Sequence, residues 1–292
     1  CVDIGGTSIK HGVLDENAII EESNQTKTEA WLGGAEVLDK VKAIGKQYME
    51  QYENIEGICI STAGMVDPEE GKIVFAGELM PDYTGTCIKK ELEKTLGIPC
   101  EVENDVNCAG LAEYISGAAK ESHIMFCATV GTGIGGCAIV DGSVFHGASN
   151  SACEIGYIPM EDSDFQTLGA SSILIKKVAG KKREPLDVWD GKKIFELAEK
   201  GDEVCISAIK EMCDVLGKGL ATICYVLNPD TIVLGGGVMA QKKILENEII
   251  DSLKRYLKPI LAEHLQVCFA EYGNEAGMVG ALYNFQNKCG RK

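Results

Sequence analysis

A run of glycines between two apolar stretches constrains this chain more than any other feature. Cys127 to Gly142 reads C-A-T-V-G-T-G-I-G-G-C-A-I-V-D-G, with four glycines among six residues around Thr132. Glycine at this density lets backbone N–H groups crowd a small anion without interference from Cβ atoms. Gly131, Gly133 and Gly136 satisfy G-x-G-x-x-G, and Glu154 stands about where a ribose-binding acid would follow, roughly 20 residues on. That fingerprint must open a helix, however. Here the glycines run into Ala138-Ile139-Val140-Asp141-Gly142, which reads as a strand ending at a turn. The expected element is a strand–glycine turn–strand hairpin, not a dinucleotide site.

The same hairpin occurs twice. Shifted by 126 positions (127 minus 1), Cys1 to Ile20 lies over Cys127 to His146 without a gap. Cys1, Ile4, Gly5, Val13, Leu14, Asp15 and Ile19 meet Cys127, Val130, Gly131, Ile139, Val140, Asp141 and Phe145. A fainter echo pairs Asn107 to Leu111 with Asn274 to Met278. A repeat this long points to two related domains rather than a solenoid of short units. One hairpin alone is as well read as an ordinary β-hairpin; two, one per domain, point to a polyphosphate held between them.

At 292 residues, 45% hydrophobic and 25% charged, the chain has the length for two domains and the composition of a soluble globular protein. A net charge of −16 argues against nucleic-acid or anionic-membrane binding, which need a basic face, but leaves room for a nucleotide held by backbone amides and a metal. The thirteen cysteines are scattered, with no C-x-x-C, and read as reduced, mostly buried small apolar residues of a cytoplasmic protein. No apolar run reaches the roughly 18 residues of a membrane span. No signal sequence precedes the first strand, and without an initiator Met a few residues are expected to be missing.

Helical spacing covers Glu36 to Tyr52, Ile88 to Leu96, Cys108 to Ser116, Ser171 to Val178, Glu203 to Leu227, Lys242 to Leu257 and Glu275 to Gln286. Buried strands are expected at Ile58-Cys59-Ile60, Cys100-Glu101-Val102, Thr231 to Leu234 and Leu265 to Phe269. Lys181 to Asp190 reads as a polar loop. This alternation predicts an α/β layered fold with a smaller N-terminal domain, 1–112 plus 280–292, and a larger one, 113–279.

Four carboxylate or glycine positions are candidates for chemistry. Asp3, at the first glycine turn, reads either as a turn former or as a ligand of Mg²⁺ through water beside a triphosphate. Asp105 opens a helix and reads either as its cap or as a base that takes a hydroxyl proton, with Asn104 orienting the same substrate. Glu154 reads as a loop acid or as part of a segment closing over a polyol. Gly235-Gly236-Gly237 reads as a tight strand-to-helix turn or as a place where a flat ring or phosphate meets backbone. The four histidines are dispersed and no cysteine pair has zinc spacing, so no structural zinc is expected. Neither a nucleophile elbow nor a Walker-type phosphate loop is present.

Asp3-Ile4-Gly5-Gly6-Thr7-x-Ile9-Lys10, Glu103-Asn104-Asp105-x-Asn107, Gly131 to Gly136, Glu154-Ile155-Gly156, Gly235-Gly236-Gly237-Val238 and the closing Glu275-Ala276-Gly277 occur in one order over the whole chain. In that order they resemble the ROK (repressor, open reading frame, kinase) family of sugar kinases. The resemblance implies a duplicated actin-like, hexokinase-like fold of two domains with an interdomain cleft. It implies ATP and Mg²⁺ as cofactors and a sugar as substrate, with Asp105 the catalytic base. Asn104, Glu154, Tyr157 and Gly64 would bind sugar. Gly5, Gly6, Thr7, Lys10, Thr132 and Gly133 would line the phosphates, Gly236 and Gly237 the adenosine, and Asp3 the Mg²⁺. A homodimer is expected.

Most family members follow E-I-G with His and then a C-x-C-G-x-x-G-C-x-E zinc knuckle. Here Tyr157 replaces the His, and Ile158 to Leu168 holds no cysteine. The acid after the knuckle has no clear counterpart; Gln166 is nearby but unassigned. The chain thus resembles the zinc-free branch that includes bacterial β-glucoside kinases. The implied reaction is in-line phosphoryl transfer from MgATP to a sugar hydroxyl, O6 being the expected acceptor. The rival class, a sugar-sensing repressor, carries a DNA-binding segment ahead of the first hairpin, whereas Asp3 here is the third residue. A non-catalytic sugar binder is disfavoured because Asp105 and both glycine turns are intact.

Overall fold

The computed structural model describes residues 1–290. The chain forms two compact units. The first comprises Cys1–Gly117, Val144–Ala152 and the C-terminal segment from Asn274; the second comprises Ala118–Ser143 and Cys153–Gly273. The boundaries read from sequence, at 112 and 280, would cut two helices that the units keep whole.

In the first unit β1 (Val2–Ile4), β2 (Ser8–Leu14) and β3 (Ile20–Lys27) form an antiparallel meander. Helix α1 (Gly34–Gln51) leads to β4 (Ile58–Thr62). A small hairpin, β5 (Met65–Asp67) and β6 (Lys72–Phe75), and α2 (Ile88–Leu96) lead to β7 (Cys100–Asn104), and α3 (Asp105–Ile115) follows. In the second unit come β8 (Ile124–Val130) and β9 (Ile134–Val140), and the chain passes to the first unit within the edge strand β10 (Ser143–Val144). A two-stranded ribbon, β11 (Pro159–Met160) and β12 (Ser163–Asp164), precedes α4 (Phe165–Gly169), α5 (Ser171–Lys182), α6 (Gly191–Glu199) and α7 (Glu203–Leu227). Then β13 (Thr231–Gly235), α8 (Lys242–Tyr256), α9 (Pro259–Ala262) and β14 (Gln266–Phe269) complete that unit. The last helix, α10 (Ala276–Lys288), belongs to the first.

The two sheets repeat one plan. Their orders are β3-β2-β1-β4-β7 and β10-β9-β8-β13-β14. In each, a first antiparallel hairpin adds two parallel strands on its other side. This is the duplicated actin-like architecture, and the sequence repeat is its trace. The match is not gapless in space, though. Ile4 pairs with Ile9 across the first turn, but Val130 pairs with Ile134 across the second, so the second turn is one residue shorter. Beyond the turn Ile9 therefore corresponds to Ile134, not to Gly135. A one-residue slip exchanges the faces of a strand, and burial follows the structural alignment: Ile9 and Ile134 are both buried.

Packing explains the elements. Val2, Ile4, Ile9, Ile60 and Val102 present one face of the first sheet to Val37, Val41 and Ile44 of α1 and Leu92 of α2. On its other face Cys59 meets Cys108 of α3 and Ala281, Leu282 and Phe285 of α10. The two helices approach so closely that a Cβ on Gly280 would lie 1.7 Å from the Cys108 carbonyl oxygen. In the second unit α7 buries Ile209, Met212, Leu216 and Leu220 along one stripe, and Gly219 leaves room for the Phe165 ring. Eight of the thirteen cysteines are buried and none is bridged, so they act as small packing residues.

Candidate active site

At the end of β7, Asn104 leaves the strand and caps α3: its Oδ1 accepts from the Val106 amide at 2.9 Å and the Asn107 amide at 3.1 Å. The cap is therefore Asn104, not Asp105, and it starts the helix three residues before the Cys108 expected from apolar spacing. Its Nδ2 donates to the Gly64 carbonyl at 2.9 Å and to Asp105 Oδ1 at 3.0 Å. All four hydrogen-bonding positions of the amide are thus engaged. Asn104 orients Asp105, and contact with a substrate requires it to exchange one of these bonds. Asp105 Oδ1 also accepts from the Val106 amide at 3.0 Å. A carboxylate fixed in the first turn of a helix sits where the macrodipole favours its anionic form, which a general base requires.

Gly64 has φ +100°, and a Cβ there would meet the Phe75 carbonyl oxygen at 2.9 Å. Its carbonyl braces Asn104. Beneath it, Thr62 Oγ1 shares a 2.7 Å hydrogen bond with the hydroxyl of Tyr83, a phenol that burial pushes far above its usual range.

Register brings a polar row to one face of the first sheet: Lys10, Asp3, Ser61 and Glu103 lie side by side on β2, β1, β4 and β7. Asp3 accepts from Ser61 Oγ at 2.7 Å and pairs with Lys10 Nζ at 3.4 Å. Gly277 makes room for it, since a Cβ there would fall 2.5 Å from Asp3 Cγ. Ser61 was not singled out in sequence, and Gly277 only as part of the closing Glu275-Ala276-Gly277 motif, with no role beside Asp3. A single carboxylate with its other ligands left to water and phosphate suits Mg²⁺, which keeps several waters. Among the described residues, no three His, Cys, Asp or Glu side chains converge to cage a metal.

Both glycine turns offer free backbone. Gly5 N–H closes the first on the Ser8 carbonyl at 3.0 Å, Thr28 Oγ1 braces the Gly5 carbonyl at 2.6 Å, and Gly6 is open. Gly131 N–H closes the second on the Gly133 carbonyl at 2.9 Å, and Ser171 and Ser172 tie down the Gly131 and Thr132 carbonyls. Among the described residues, the amides of Gly6, Thr7, Thr132 and Gly133 donate to no partner in the chain. In the second unit Gly236 (φ +95°) packs on Val130, where a Cβ would stand 2.3 Å from its carbonyl oxygen. The Gly236–Gly237 turn thereby abuts the strand end that carries the second glycine turn.

Also in the second unit, Gln166 reaches Gly133 and Gly156: a Cβ on either would come within 2.8 or 2.9 Å of its Oε1. It brings a neutral amide beside Glu154-Ile155-Gly156. Tyr157 is 56% exposed, so its ring does not fill a packed void. Among the described residues no donor reaches the Glu154 carboxylate, and burial raises its pKa above the ordinary glutamate value. For an acid raised in this way the ionised form costs stability above the shifted pKa, and the cost vanishes as pH falls below the unfolded value. Glu154→Gln should therefore raise Tm at neutral pH, with the gain shrinking toward about pH 4. If the carboxylate accepts a sugar hydroxyl, the same variant should raise sugar KM by about tenfold or more. An unchanged KM would remove Glu154 from the sugar contacts.

The family model of the ROK family matches residues 1–288. An uncharacterized protein of Clostridium perfringens is 46% identical over 285 residues, covering 98% of this chain and 96% of that one. A β-glucoside kinase of Klebsiella pneumoniae is 31% identical over 293 residues, covering 97% and 94%. The crystal structure of a ROK family glucokinase from Streptomyces griseus, in complex with glucose and AMPPNP, superposes with a TM-score of 0.83 at 28% identity, covering 97% of each chain.

Proposed function

The chain belongs to the ROK family, and from that premise we propose that it transfers the γ-phosphate of ATP to O6 of glucose or, in preference, of a β-glucoside. It is a carbohydrate kinase; the acceptor is the finer part of the proposal. The observation that carries it is the head of α3, where Asn104 fixes Asp105 by one oxygen at a helix N-terminus. In this reading Asp105 takes the proton of the sugar hydroxyl as the new P–O bond forms. Glu154 accepts another sugar hydroxyl, Gly64 and Asn104 frame the sugar, and Tyr157 lies against what the sugar carries. The free amides of Gly6, Thr7, Thr132 and Gly133, with Gly5 and Lys10, hold phosphate oxygens, and Gly236 and Gly237 pass close to the adenosine. Asp3 is the residue that would hold Mg²⁺ through water, and the ion would supply charge neutralisation for the phosphoryl group being transferred. A cytoplasmic homodimer belongs to the same proposal. No helix among the described residues is long and apolar enough to cross a membrane.

Tyr157 supports the substrate assignment. A histidine there would offer a sugar a ring nitrogen on a small, polar imidazole, whereas an exposed tyrosine presents a larger and less polar aromatic face suited to the apolar side of a second sugar or aglycone. Tyr157→His should shift the ratio of kcat/KM toward free glucose by roughly 10-fold, the scale of one pocket contact. Wild-type protein that phosphorylates glucose and refuses every β-glucoside offered would overturn the preference and leave the kinase assignment standing.

A further inference from the structure

One buried carboxylate at the head of α3 is not used by the reaction described above. Glu103 is 1% exposed. Its Oε1 accepts from the Asn104 backbone N–H at 2.8 Å and from Asn107 Nδ2 at 2.9 Å, and its Oε2 lies 2.8 Å from His146 Nε2. A carboxyl this deep is retained only where its lone pairs are matched, and all of these partners bear on the base or its surroundings. Asn104 is the residue that orients Asp105, and Asn107 donates from the first turn of the same helix. His146 lies in Val144–Ala152, a segment of the first unit that runs on in the chain to Cys153 and Glu154. That segment is closed by the Ala152 N–H on the His146 carbonyl at 3.0 Å, with Gly147 turning at φ +73°.

We propose that Glu103 is a positioning residue. Through Asn104 it fixes the oxygen geometry of Asp105, and through His146 it clasps segment 144–152 to the head of α3. Its catalytic consequence rests on the kinase reading; the clasp itself does not. The same three contacts make a distinctive set of variants. Glutamine at 103 keeps an oxygen for the two N–H donors and offers His146 an N–H, so it preserves the clasp without the charge. Alanine removes all three contacts. His146→Ala removes only the segment's hold, and His146→Gln restores a donor.

Glu103→Ala should lower kcat by about 10–100-fold, the effect of displacing a catalytic group by about 1 Å, with the KM for ATP unchanged. Glu103→Gln should recover most of that loss. His146→Ala should raise sugar KM more than it lowers kcat, and should speed amide hydrogen exchange across 144–152, Ala152 included. His146→Gln should return exchange to wild-type rates. A Glu103→Ala enzyme with wild-type kcat, or one that glutamine at 103 does not rescue, would overturn the positioning role. Unchanged exchange in His146→Ala would overturn the clasp. If Glu103→Ala does not fold, His146→Ala still decides the contact, because its side chain is 26% exposed and leaves no deep void. Should wild type phosphorylate no sugar at all, the kinase reading fails, while the exchange comparison still tests the clasp.

Discussion

Asp105→Asn should lower kcat by about 10²–10⁴-fold, the usual worth of a general base, with sugar KM changing far less. Asparagine keeps the Oδ1 that Asn104 Nδ2 and the Val106 N–H now hold, at 3.0 Å each, so the helix head stays intact. What disappears is the capacity to take a proton. Because Asn104 already caps α3 through its own Oδ1, Asp105 is not needed for that task, and a merely structural Asp105 would leave turnover near normal. Steady-state kinetics with the acceptor sugar varied at saturating MgATP separates the two outcomes.

Gly280→Val should destabilise the first unit by about 3 kcal/mol, at the upper end of ordinary overpacking. The clash is with a backbone atom, the Cys108 carbonyl oxygen 1.7 Å from the added Cβ, so no side-chain rotamer relieves it. Helix α10 has to withdraw from α3, carrying Ala281 and Phe285 out of their cluster with Cys59 and Cys108. Thermal unfolding should move down by about 10 °C, using the usual shift for a chain of this size. Gly180→Ala is the matched control. It lies on the exposed side of α5 with nothing within 4 Å of the added Cβ, and should raise stability by about 0.5–1 kcal/mol through helix propensity alone. Equal stability of the Gly280→Val variant and wild type would mean that α3 and α10 are not closely packed.

Local signals in the sequence proved as good as their chemistry was local. Helix α7 was legible to both ends, because Asp202 caps it through the Val204 and Cys205 amides and Asn228-Pro229 stops it. The two hairpins were legible from glycine and β-branched patterning, and their repetition anticipated the matched strand orders. The start of α3 was not, since the apolar stripe begins at Cys108 while the cap is a polar residue belonging to the strand before it. The one-residue difference between the two turns was invisible to a gapless comparison, because glycine-rich turns align equally well in either register. Contacts between distant residues were out of reach altogether. Asp3 with Ser61, and Glu103 with His146, are joined only by strand register and by a segment returning to the first unit. Gln166 stayed unassigned for the same reason: its neighbours Gly133 and Gly156 are set by folding, not by spacing.

The most direct test is to incubate the purified wild-type protein with MgATP and, separately, glucose, N-acetylmannosamine, fructose and a series of β-glucosides, measuring ADP release and locating the phosphate on the product by phosphorus NMR. The expected result is ADP release that depends on sugar, with a β-glucoside or glucose as acceptor and the phosphate on O6. Nucleotide consumption that no sugar increases, or a sugar bound but recovered unphosphorylated, would contradict it.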